Sequence, residues 1–118
     1  MRVHLVLAAA VAGAASATPV MAQDRTWHRA ITAQEYGKAE RRLVAERRFH
    51  PERPDLMLNL AAVYQRTGRA TQARALYAEV LASAPVAMDM PSGRVLSSHA
   101  VANAALAGME RGTAFASR

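Results

Sequence analysis

The chain has 118 residues, of which 52% are hydrophobic and 20% charged, with a formal net charge of +6 and no cysteine. That length suits one small domain. The absence of cysteine excludes a disulfide framework and a lipid-modified N-terminal cysteine, so stability must come from packing. Arginine supplies 14 of the 15 basic residues, which suits acidic or anionic partners.

The first segment reads as a secretory signal peptide. Met1-Arg2-Val3-His4 is a weakly positive start, and Leu5 to Ala17 is apolar or small throughout. Two small-x-small sites follow, Ala15-Ser16-Ala17 and Val20-Met21-Ala22. The apolar run is 13 residues, shorter than the ~20 that span a bilayer. Cleavage is expected after Ala22, because Gln23-Asp24-Arg25 opens a polar segment. The mature chain would then have 118 − 22 = 96 residues and, without Arg2, a charge of +6 − 1 = +5. The expected location is the periplasm or the exterior of a bacterium. Export makes nucleic acid a poor partner for the arginines and favours an acidic protein or an anionic envelope surface.

Residues 24–33 carry only Trp27 and Ile31 as large apolar groups. A helix is predicted from Tyr36 to about Phe49, with Ala39, Leu43 and Glu46 on one face. His50-Pro51-Glu52-Arg53-Pro54 stops it, and Pro54 can open the next helix, because its missing N–H would be unpaired there anyway. That helix is predicted over about Asp55–Arg66, with Met57, Leu60, Ala61 and Tyr64 on its apolar face. Thr67-Gly68-Arg69 is a turn in which Gly68 takes a positive φ. The next helix is expected over about Ala70–Ser83, with Ala73, Leu76, Tyr77, Val80 and Leu81 inside. So short a link makes the two helices pack antiparallel.

Beyond Ala84-Pro85, the segment Val86–Met90 is expected to pair with Arg94-Val95-Leu96 across the Pro91-Ser92-Gly93 turn. Ser97 or Ser98 caps a last helix, about His99 to Met109, with Val101, Ala105 and Leu106 buried. Gly112 to Arg118 is expected to fray. The domain is thus placed at residues 23–110, between the leader and a tail at 111–118.

Three pairs stand 34 residues apart: Pro51 and Pro85, Ala39 and Ala73, Leu43 and Tyr77. That period marks tetratricopeptide repeats. The run Asn59-Leu60-Ala61, then Tyr64, Gly68, Ala73, Tyr77 and Pro85, resembles one complete repeat of that family. The helix from Tyr36 resembles the second half of a preceding repeat. The resemblance covers residues 36–85 and implies an all-α fold of antiparallel helical hairpins, about one and a half repeats, that binds proteins and does no chemistry. Glu46 departs from the pattern where the complete repeat has Val80, and Pro91 and Gly93 forbid a third repeat.

In family members that bind extended peptides, an asparagine at the position of Asn59 bonds the peptide backbone. Asp55, Asn59, Ala62 and Arg66 share one helical face beside the buried one, which makes a candidate polar binding groove; the alternative is that Asn59 simply fits the repeat and bonds a neighbouring helix. The family's clamp for a C-terminal carboxylate does not carry over, because its positions hold Asp24, His28, Asp89 and Gly93. A solenoid needs about three repeats to cover its faces, so either the C-terminal segment caps the hairpin or a partner or a second copy of the chain completes it.

The clustered Arg41, Arg42, Arg47 and Arg48 give an alternative: a structural protein that lays an Arg-rich face on anionic surfaces. Catalysis is not expected. His28, His50 and His99 lack partners at metal-ligand spacing. Ser97-Ser98-His99 lies at a helix start and is explained by capping; nucleophile activation needs a base that a third group orients. No Gly-rich phosphate loop and no cofactor signature are present.

Overall fold

The computed structural model describes residues 3–5, 31 and 34–116. The elements run β1 (Val3–His4), α1 (Tyr36–Phe49), α2 (Pro54–Arg66), α3 (Ala70–Ala82), β2 (Ala87–Asp89), β3 (Val95–Ser97) and α4 (Ser98–Ala116). The chain is mostly helical, as expected, with a small three-stranded sheet of order β1-β2-β3.

Proline and glycine set the helix ends. Arg53, before Pro54, is extended at φ −75° and ψ 114°, because a following proline disfavours the helical region. Pro54 is the first residue of α2, where no N–H is needed. At the other end Gly68 has φ +77°. The Arg69 N–H donates to the Tyr64 carbonyl at 2.8 Å and the Gly68 N–H to Gln65 at 3.4 Å. This pair of bonds is the Schellman closure, which glycine makes without a Cβ penalty. The chain then turns straight into α3.

α2 is the central helix. It packs against α1, α3 and α4, and every residue from Pro54 to Val63 is buried. The expected inner residues Met57, Leu60 and Ala61 of α2, and Ala73, Leu76, Tyr77 and Val80 of α3, are buried, while Tyr64 and Leu81 are half-buried. Ala39 and Leu43 anchor α1 in the same core. Ile31 is also buried there.

β2 and β3 form the expected antiparallel hairpin, pairing Ala87 with Ser97, Met88 with Leu96 and Asp89 with Val95. Its turn is closed by the Gly93 N–H on the Met90 carbonyl at 2.9 Å, with Pro91 in the first central position and Gly93 at φ +84°. Ser97 is the helix cap: its Oγ accepts the His99 N–H at 3.2 Å. Ser98, fully buried, accepts the Val86 N–H through Oγ at 2.9 Å and donates its own N–H to the Val86 carbonyl at 2.8 Å.

Of the three residues expected inside the last helix, Val101 is buried but Ala105 and Leu106 are half-buried, and two larger features differ from expectation. α4 does not stop near Met109 but continues to Ala116. Glu110 and Arg111 favour helix, and Gly112 costs only about 1 kcal/mol there. The second difference is β1, which lies in the segment read as a leader. Val3–His4 pairs parallel with β2, and Leu5 is buried in the core. The rest of the leader, both cleavage sites, Trp27 and His28 fall outside the described residues.

Candidate interaction site

Of the four residues expected to line a groove, three lie inside the fold. Asp55, Asn59 and Ala62 are 1%, 0% and 8% exposed. Only Arg66 is exposed. The physical reason is the central position of α2, whose first three turns have neighbours on all sides. The Asn59 amide nitrogen donates to the Asp55 carbonyl one turn back at 2.7 Å. Among the described residues, its buried Oδ1 has no hydrogen-bond partner. The Asp55 carboxylate accepts two bonds from the Arg53 guanidinium, one through Nε at 3.1 Å. In this arrangement the four residues do not make an open groove.

The arginine cluster divides. Arg47 reaches across to Glu79 on α3 at 3.0 Å and is three-quarters buried, so it joins helices. Arg41, Arg42 and Arg48 are exposed. Phe49, next to Arg48, is 80% exposed, the most exposed large apolar residue among those described. Arg48 and Phe49 thus stand together at the C-terminal end of α1, with Arg41 and Arg42 about two turns earlier on the same helix.

Arg69 was not singled out by sequence, yet it ties α1 to the turn between α2 and α3. Its guanidinium binds both oxygens of Glu40 on α1 at 2.7 and 2.8 Å. It also donates to Thr67 Oγ1 through Nε at 3.1 Å and through a second nitrogen at 3.0 Å. It lies 4.6 Å from the centroid of the Tyr64 ring, within cation–π range. The hydrogen bond from Arg69 holds the Glu40 carboxyl below its ordinary value of 4.5 against the opposing effect of burial. No local pattern announces a pair 29 residues apart.

The sheet has an edge whose backbone groups point away from β3. In an antiparallel pair the bonded and non-bonded positions alternate. Ser98 bonds Val86, and Met90 bonds Arg94, so Ala87 and Asp89 turn their N–H and C=O groups to the other side. β1 occupies that side, and the Leu5 N–H donates to the Asp89 carbonyl at 3.0 Å. Val3-His4-Leu5 is too short an alternation to announce a strand by itself, and the leader pattern surrounds it.

Ser97, Ser98 and His99 are all used structurally. The His99 ring nitrogen Nε2 lies 2.6 Å from the Ser83 carbonyl oxygen, at the end of α3. Among the described residues, no three His, Cys, Asp or Glu side chains are grouped closely enough to hold a metal ion. No described helix is long and apolar enough to cross a membrane. Comparison with family models, with curated proteins and with solved structures finds no match for this chain.

Proposed function

We propose that the chain is a small exported interaction module of tetratricopeptide-repeat type, which holds a protein or peptide partner in the bacterial periplasm and catalyses no reaction. The observation that carries this reading is the 34-residue offset between Ala39 and Ala73, both 0% exposed. A repeat of this type needs a small residue at that place so that paired helices approach closely. Ala61, also 0% exposed, supplies the matching small residue on α2. The leader pattern of residues 1–22 supports the compartment.

The test is capture from envelope extract with the purified exported chain. A specific partner retained at high salt is expected, since a packed interface resists screening. A monomer by sedimentation across a concentration series, with no partner captured, refutes the reading.

The exposed Phe49, on the same helix as the exposed Arg41, Arg42 and Arg48, favours a second reading, peripheral contact with an anionic envelope surface. Basic residues near such a surface contribute about 1 kcal/mol each, and an aromatic ring inserts at the interface. Binding to anionic vesicles that weakens with salt, and that falls in Phe49→Ser, supports it. Equal binding to neutral vesicles refutes it.

A further inference from the structure

α1 turns one side to the core and leaves the other exposed. At about 100° per residue, Lys38, Arg41, Arg42, Ala45, Arg48 and Phe49 fall within about 120° of arc. All six are exposed, while Ala39 and Leu43, on the other side of the helix, are 0% exposed. We propose that this outer face of α1 lies flat on a bilayer of anionic phospholipid, with its arginines on lipid phosphates and the Phe49 ring between the headgroups. The proposal deepens the reading of peripheral envelope contact and rests on it: it names the face, its orientation and the lipid.

Charge selects the occupant. Glu35 stands 3.6 Å from Lys38 and offsets it. Glu40 is taken by Arg69, and Glu46 is half-buried at the margin of the face. Arg41, Arg42 and Arg48 leave a positive excess, which Glu52, exposed in the turn after the helix, offsets only in part. Arg47, on the inner side of the same helix, is bound to Glu79 instead. A guanidinium takes two oxygens of one phosphate and is weakly hydrated, which suits it to a crowded headgroup layer. From Lys38 to Phe49 the face runs about 17 Å, long enough to meet more than one headgroup.

Phe49 decides between a lipid and a protein. Its ring is 80% exposed and stands on the last turn of the helix, on a convex surface. Its neighbours on the face are Ala45 and charged groups, so no apolar strip surrounds the ring for a protein partner to pack on. A headgroup layer deforms around a single ring, and aromatic side chains settle at that depth.

The test is co-sedimentation of the full chain with mixed phosphatidylglycerol–phosphatidylcholine vesicles and with pure phosphatidylcholine vesicles. The apolar leader is common to every variant, so differences between variants read α1. Arg41→Gln with Arg48→Gln is expected to lower partition to the anionic vesicles about tenfold or more and to leave partition to the neutral ones unchanged. Raised salt should shrink that difference. Phe49→Ser should lower partition about threefold or more, and Phe49→Trp should bind at least as well as the unaltered chain, because tryptophan favours the same depth. Circular dichroism melts check that these exposed substitutions keep the fold.

A second measurement reads the orientation. The chain has no cysteine, so a single one carries an environment-sensitive dye. His50, next to Phe49, and Ser92, on the β2–β3 turn, are both exposed. On anionic vesicles the dye at His50→Cys should brighten and shift to the blue, and the dye at Ser92→Cys should not.

Anionic-selective binding that is equal in the unaltered chain and the arginine variant overturns the proposal and leaves envelope contact standing. So does a response at Ser92→Cys without one at His50→Cys. Retention on purified peptidoglycan with no binding to anionic vesicles overturns the lipid and leaves another anionic surface. Binding of labelled poly-glutamate that is lost in the same variants, with none to vesicles, assigns the face to an acidic protein. Equal binding to anionic and neutral vesicles sinks both readings.

Discussion

Arg69, at the turn between α2 and α3, grips the Glu40 carboxylate of α1 with two bonds of 2.7 and 2.8 Å while lying against the Tyr64 ring. One side chain thus ties the first helix to the hairpin that follows it. The turn itself depends on a backbone bond from the Arg69 N–H. The same residue therefore shapes the α2–α3 turn and holds α1 against it.

This pair carries a pH dependence. Glu40 is held below its ordinary value of 4.5 in the folded chain, first by the Arg69 hydrogen bond. A depressed carboxyl contributes stability that is present above 4.5 and is lost as pH falls through the lowered value. Glu40→Gln is expected to lower stability at pH 7 by about 1 kcal/mol or less, since the pair is partly exposed. Urea melts at pH 7 and pH 3 test this: the difference from the unaltered chain should shrink at pH 3. A difference that stays constant would mean that the charge plays no part.

Among the described residues Asp55 is the buried carboxylate, 1% exposed, and Arg53 accompanies it from the loop. Removing one partner of such a pair leaves the other charge buried without compensation. Arg53→Ala is expected to cost about 2–4 kcal/mol, because hydrogen bonds to buried charges are expensive to lose. Arg53→Ala with Asp55→Asn should recover part of that loss. A double variant no better than the single one would show that Asp55 is stabilised by other groups.

Tyr77 is pushed up to about 12 by burial, and its hydroxyl donates to Gln65 Oε1 at 3.0 Å. A raised group contributes stability that is fully present below its unfolded value, near 10, and lost as pH rises towards about 12. Stability measured from pH 9 to 12 should therefore decline, and Tyr77→Phe should flatten that decline. At pH 7 the same change costs about 1 kcal/mol, the net worth of one hydrogen bond.

Ala73 is 0% exposed on the inner face of α3, which packs against α2. No space remains for three further carbons. Ala73→Leu is expected to destabilise by about 1–3 kcal/mol through overpacking. A thermal melt indistinguishable from that of the unaltered chain would mean that the helices are not in close contact there.

What the sequence determined by itself is the punctuation. Pro51 and Pro54 end one helix and start the next, Gly68 closes the second, and Pro91 with Gly93 makes the hairpin turn. These are properties of single residues and their neighbours, since a fixed φ or a missing Cβ acts within one turn of chain. Helical spacing likewise marked Met57, Leu60, Ala73, Val80 and Val101 as inner residues, and all five are buried. Tertiary structure decided the rest. The Glu40–Arg69 grip and the pairing of Val3 with Met88 join residues that are remote in sequence. The face holding Asp55, Asn59 and Ala62 reads as an open polar stripe along one helix, yet it is closed because α2 is packed against three other helices. Periodicity tells which residues share a face; only packing decides how many faces are covered.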